Sequence, residues 1–112
     1  MKSLSKATVV EPITLIEEPF TITFWRKLGM AIDSFDLNAK DMRVLVAYAA
    51  HLESGNIIKI SQLKLSKELS LDKAQIRQSV SKFIEAGILV KYGPRLKMNW
   101  RYIARGPLIQ YL

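Results

Sequence analysis

Gln75 and Gln78 stand three residues apart in "LDKAQIRQSVSKF", where apolar residues recur at helical spacing and amides, hydroxyls and cations fill the positions between. A glutamine amide offers an acceptor and a donor in one plane, the complement of adenine N6 and N7, and the methyl of Ala74 can pack on a thymine methyl. Ser81 and Lys82 project from the same side of such a helix, with Lys73 and Arg77 nearer its flank. Downstream, Arg95, Lys97 and Arg101 follow a Gly-Pro turn. Cations at an exposed turn can lie along a phosphate backbone or enter a narrow minor groove. Ser61 and Gln62, which open the preceding helical segment, complete the candidate contact set.

Other chemistries lack their residues. There is no cysteine, and His51 is the single histidine, so neither a thiolate nucleophile nor a His/Cys zinc site can be assembled. Asp33, Asp36 and Asp41 resemble an acid cluster, but no motif sets two carboxylates on one catalytic face, and caps account for them better. "GPRLKMNW" lacks the G-K-[ST] ending of a phosphate loop. We expect no enzyme, no cofactor and no metal. No apolar run approaches the roughly 18 to 20 residues of a membrane span. The N-terminus has no apolar core of signal-peptide type. The expected location is therefore cytoplasmic, associated with a nucleoid or plasmid, with no membrane partner.

Charge is informative once it is located. The formal net charge of the 112 residues is +7. From Lys73 to Arg105 there are eight bases (Lys73, Arg77, Lys82, Lys91, Arg95, Lys97, Arg101, Arg105) against one acid, Glu85, while the other 79 residues hold nine of each sign. The whole surplus lies in the C-terminal third. Such concentration points to a polyanionic partner.

The elements that must hold these residues follow from periodicity and punctuation. Residues 1–19 read as an N-terminal arm, residues 20–105 as one domain and residues 106–112 as a tail. Phe24, Leu28, Ala31, Ile32 and Phe35 predict a helix over 20–35. Asn38 as N-cap and Gly55-Asn56 as exit frame a second helix, with Met42, Leu45, Val46, Ala49 and Leu52 as its core face. Ile57–Ile60 reads as a short strand, and Ser61 caps a helix whose inward residues are Leu65 and Leu69. After a tight turn at Ser70 and Leu71, Asp72 caps a helix over 72–86 with Ile76, Val80, Phe83 and Ile84 inward, and Gly87 stops it. Ile88–Tyr92 and Leu96–Ala104 form a hairpin about Gly93–Arg95, with Met98, Trp100 and Tyr102 on the packed face. The fold class is α+β, mainly helical with a small β-hairpin.

Two helices joined by a short turn, the second basic, with a strand before and a basic hairpin after, match a winged helix-turn-helix. Residues 60–90, "ISQLKLSKELSLDKAQIRQSVSKFIEAGILV", resemble MarR-like regulators, with Ser66 at the helix crossing, Leu71 at the apolar turn position and Asp72 at the cap. A looser likeness over about 24–106 is to RepL-type plasmid replication proteins. Their wing returns through a motif near N-P-x-x-x-x-x-G, where this chain has "MNWRYIARG" and Trp100 stands in place of proline.

The resemblance implies a sequence-specific double-stranded DNA-binding protein, a replication initiator or transcription regulator of a plasmid or phage-type element. The recognition helix would be 72–86 and the wing 91–101. The alternative is a winged-helix protein-interaction module within a nucleoprotein complex. Phe24, Trp25 and Leu28, outside the needs of a winged helix, raise the expectation of a homodimer through the N-terminal helix.

Overall fold

The computed structural model describes residues 20–106 and 108–111; the expected arm at 1–19 lies outside the described residues. The elements are β1 (Thr21–Thr23), α1 (Trp25–Ser34), α2 (Ala39–Ala50), β2 (Leu52–Glu53), a 3-10 turn (Ser54–Asn56), β3 (Ile57–Ile58), α3 (Gln62–Leu69), α4 (Lys73–Ala86), β4 (Leu89–Tyr92), β5 (Arg95–Met98), β6 (Ile103–Arg105) and a 3-10 turn (Leu108–Tyr111). The class is α+β. One antiparallel sheet has the order β2-β3-β5-β4, and β1 pairs with β6 in a second.

Helix limits follow local chemistry. At the start of α2, Asn38 Oδ1 accepts the Asp41 N–H and Asp41 Oδ2 accepts the Asn38 N–H, both at 2.9 Å. This reciprocal pairing satisfies two otherwise orphaned donors. Ser61 Oγ accepts the Lys64 N–H at 3.1 Å, as its cap position predicts. Ser70, at φ 55, ends α3 in the left-handed conformation. The turn into α4 is then closed twice: Leu71 N–H donates to the Ser66 carbonyl and the Ser66 hydroxyl donates to the Leu71 carbonyl. Gly87, at φ 78, stops α4 while its N–H and that of Ile88 bond back to the last turn. Asp72 departs from expectation, since its side chain makes no cap hydrogen bond.

The core joins α1, α2, α3 and α4 to the sheet. Leu28, Val44, Leu45, Tyr48, Leu65, Ile76, Phe83, Ile88, Leu89 and Met98 are all buried in it. The inward stripe of α2 is Asp41, Val44, Leu45 and Tyr48; of the expected core face Leu45 and Leu52 are buried, Met42 and Ala49 half-buried, and Val46 is 64% exposed. A carboxylate heads the buried stripe, so hydrophobicity alone misplaces it by part of a turn.

Three further expectations are corrected. The helix expected from Phe20 begins at Trp25, because β-branched Thr21, Ile22 and Thr23 pair with Arg105, Ala104 and Ile103. The strand expected over 57–60 is only Ile57–Ile58, and the strand expected over 96–104 is broken after Met98. Asn99 makes the break: its Nδ2 donates to the Gly87 carbonyl at 2.9 Å and its Oδ1 accepts the Arg101 N–H at 3.0 Å. Its carbonyl also accepts the N–H groups of Tyr102 and Ile103. An asparagine thus builds the turn with tryptophan, not proline, following it. Met98, Trp100 and Tyr102 consequently do not share one strand face.

Asn56, read from sequence as a loop exit, is buried at φ 65. Its Nδ2 donates to the carbonyls of Met98 (2.9 Å) and Ile103 (2.7 Å), and its Oδ1 accepts the Arg105 N–H at 2.8 Å. The Tyr111 hydroxyl lies 2.9 Å from that same Oδ1, and its ring stacks on Trp100 with centroids 6.1 Å apart. The tail therefore folds back on its own domain at Tyr111. Asn56→Ala should destabilise the fold by about 3 kcal/mol, since it strands buried carbonyls and puts a Cβ residue without a local hydrogen bond in the left-handed region; urea unfolding measures it.

Candidate nucleic-acid interface

The packing of α4 leaves one side of it open. Ile76, Ser79, Val80 and Phe83 are buried against the core. On the opposite side Ala74, Arg77, Gln78 and Ser81 line an open groove of about 400 Å³. Lys73 is exposed at the first turn and Glu85 at the last, so the cationic part of this face is its N-terminal half.

Two candidates do not project freely. Lys82 Nζ donates to Asp41 Oδ2 at 2.7 Å and reaches the Asp36 carbonyl at 3.4 Å. It is committed to α2, which corrects its assignment to the open face. Gln75 is half-buried on the flank next to α2, where its Nε2 donates to Ser79 Oγ at 3.1 Å. Ser79 Oγ in turn donates to Asp41 Oδ1 at 2.6 Å. Burial pushes the Asp41 carboxyl upward, but hydrogen bonds from Lys82, Ser79 and the Asn38 N–H, with the Lys82 charge, outweigh it and hold the pKa below the ordinary 3.8. The carboxylate is ionised at neutral pH.

The β4–β5 hairpin turns at Gly93 and Pro94. In its register Val90 faces Lys97 and Tyr92 faces Arg95, so these four residues share one face. Arg95 and Lys91 are exposed; Lys97 is half-buried with Nζ 4.9 Å from the Tyr92 ring centroid. Ser61 and Gln62 meet this hairpin: with Lys59, Tyr48, Pro94 and Arg95 they line a cleft of about 340 Å³. The start of α3 therefore shares one cleft with the hairpin tip. Tyr48 is wholly buried there, and burial pushes its hydroxyl pKa up to about 12.

Arg101 sits apart from this cluster. It lies in the Asn99–Tyr102 turn, its guanidinium 5.3 Å from the Trp100 ring, and lines a surface depression with Trp25, Lys27 and Met30 beside α1. The hairpin thus ends at Met98, and the expected wing over 91–101 is too long. Arg105 counts in the charge surplus but is half-buried, with its Nη1 donating to Ser54 Oγ at 3.1 Å. Reading by sequence missed Lys59, which faces the cleft, and Ser79, whose partner lies 38 residues away. Nothing in a local pattern signals either.

Among the described residues there is no group of three side chains suited to hold a metal ion, and no helix long and apolar enough to cross a membrane. Comparison with protein-family models, with curated proteins and with solved structures returned no match.

The buried carboxylate makes a measurable contribution to stability. Because the folded-state pKa of Asp41 lies below 3.8, its stabilisation is complete above that value and is lost as pH falls through the folded-state value. Asp41→Asn should flatten this component of acid unfolding. At pH 7 it should cost about 2 kcal/mol, less than the ~3 to 5 kcal/mol for a fully buried pair because the Lys82 ammonium partly reaches water.

Proposed function

We propose that the chain binds double-stranded DNA in a sequence-specific way as a winged helix, with α3 and α4 as the helix-turn-helix pair and the β4–β5 hairpin as the wing. The observation that carries this reading is the distribution of unpaired charge. Among the described residues the one lysine- or arginine-to-carboxylate pair is Lys82–Asp41. Lys73, Arg77, Lys91 and Arg95, on α4 and the hairpin, have no carboxylate partner among the described residues. Cations that a fold leaves without an acid suit a polyanion, whose condensed counterions they displace. Phosphate contacts from Lys73, Arg77, Arg95, Lys97 and the start of α3 at Ser61 and Gln62 would set the register. Ala74, Gln75, Gln78 and Ser81 would meet base edges in the major groove. Arg101, beside α1, has no part in this surface.

The biological role that fits is a replication initiator or transcription regulator of a plasmid or phage-type element. A winged helix used only to bind protein has no need of unpaired cations on the recognition helix. With roughly four to six phosphates contacted, the slope of log affinity against log salt should be about −3.6 to −5.4. Arg95→Ala should weaken cognate and scrambled duplexes alike, whereas Gln78→Ala should cost about 1 to 3 kcal/mol on the cognate site only. A flat salt response would overturn the reading.

The domain also keeps an apolar surface: Trp25 is 73% and Met30 66% exposed, and Phe20, Trp25 and Val46 rim a groove of about 460 Å³ between β1, α1 and α2. The proposal includes a twofold homodimer closed by this surface, which would set two α4 helices on half-sites about one DNA turn, roughly 34 Å, apart. Sedimentation at micromolar concentration should give a dimer that Trp25→Ala dissociates; a monomer both free and on a single half-site would contradict it.

A further inference from the structure

We infer that the Asp41–Ser79 pair locks the side-chain amide of Gln75 in one orientation, which makes Gln75 a reader of adenine. The inference rests on the proposal that α4 enters the major groove of DNA.

Hydrogen-bond direction fixes the orientation of this amide. An ionised carboxylate can only accept. Asp41 is buried and ionised, its Oδ2 occupied by Lys82 Nζ at 2.7 Å and by the Asn38 N–H at 2.9 Å. Its Oδ1 lies 2.6 Å from Ser79 Oγ. The single hydroxyl proton of Ser79 must point at that oxygen, so toward Gln75 the hydroxyl can only accept. The Gln75 amide 3.1 Å away must therefore turn a nitrogen, not its oxygen, to Ser79. The usual ambiguity between the two ends of a glutamine amide is removed by a carboxylate two hydrogen bonds away.

What remains free on Gln75 is Oε1 and the second N–H. Adenine presents the complement in the major groove, an N6–H donor beside the N7 acceptor; guanine presents two acceptors there, and the exposed edges of cytosine and thymine present a single polar group each. Gln75 lies in the first turn of α4, the part of a recognition helix that reaches base edges. A side chain already held in one state also loses less conformational freedom on binding. Ser79, wholly buried, is on this account a positioning residue that never touches DNA.

The test is selection of duplexes from a random library by the full chain, followed by affinities of purified variants on the selected site. The wild type should fix an adenine at one position per half-site. Gln75→Ala should lose roughly 5- to 150-fold discrimination there, the range of one bidentate contact. Ser79→Ala should lose part of it while leaving the salt slope and the affinity for scrambled duplex unchanged. Gln75→Glu, which replaces the amide by acceptors alone, should shift that position toward cytosine, whose N4 donates. Because Ser79 can only accept toward residue 75, the glutamate also loses its tether to Ser79, and the variant serves if Ser79→Ala fails to fold. Adenine preference intact in Ser79→Ala, or unshifted in Gln75→Glu, overturns the inference. Failure to enrich any duplex overturns the DNA reading itself, which separates the two failures.

Discussion

Asp41 sits where the first turn of α2 meets the middle of α4, with no solvent exposure, and three hydrogen bonds converge on its two oxygens. Two come from α4 and one from its own helix's cap, so a single carboxylate joins the start of α2 to the rotation of α4 about its axis. Removing it leaves an ammonium and a hydroxyl facing a hole. Turning α4 by one residue to either side would break both bonds and drive Ile76 and Phe83 out of the core. The apolar stripe fixes which side of α4 is inward to within a broad arc, whereas directional bonds at a buried charge fix it more narrowly. The angle at which Ala74, Arg77, Gln78 and Ser81 face outward depends on that constraint.

The same residue explains where the sequence misleads. Helices α2, α3 and α4 were legible because their ends carry strong local signals: Asn38, Ser61 and Gly87 each take the backbone conformation their chemistry favours. The stripes of α4 and α1 were legible because their inward residues, Ser79 apart, are apolar. The stripe of α2 was not, because its first buried member is charged and its partners are 38 and 41 residues away. Lys82 fell to the same blindness, since a lysine on a helix flank looks free until the acid it meets is known. Likewise Asn56 resembled a loop residue, though it ties β5, β6 and the chain's last turn together, and Asn99 resembled a strand residue, though it folds the chain back. Buried polar groups with distant partners are where single-sequence reading runs out.

Charge in this molecule divides by whether the fold uses it. Lys82 and Arg105 are spent within the domain, and Arg101 packs on Trp100 away from the cluster. Among the described residues, Lys73, Arg77, Lys91 and Arg95 on α4 and the β4–β5 hairpin meet no acid, and the cleft between Pro94-Arg95 and Ser61-Gln62 brings the hairpin tip against the start of a helix. A helix N-terminus and unpaired guanidinium and ammonium groups favour the same ligand chemistry, an anion. Repetition of that chemistry along two elements suits a chain of phosphates better than one.

The most direct measurement is a titration of 15N-labelled protein with a short duplex at low salt, followed by amide chemical shifts. The shifts should concentrate at the start of α3, along Lys73–Ser81 of α4 and in the Lys91–Lys97 hairpin, with the α1 face around Trp25 and Arg101 silent toward DNA. Shifts centred on that α1 face, or none at all, would overturn the DNA interface proposed for α4 and the hairpin.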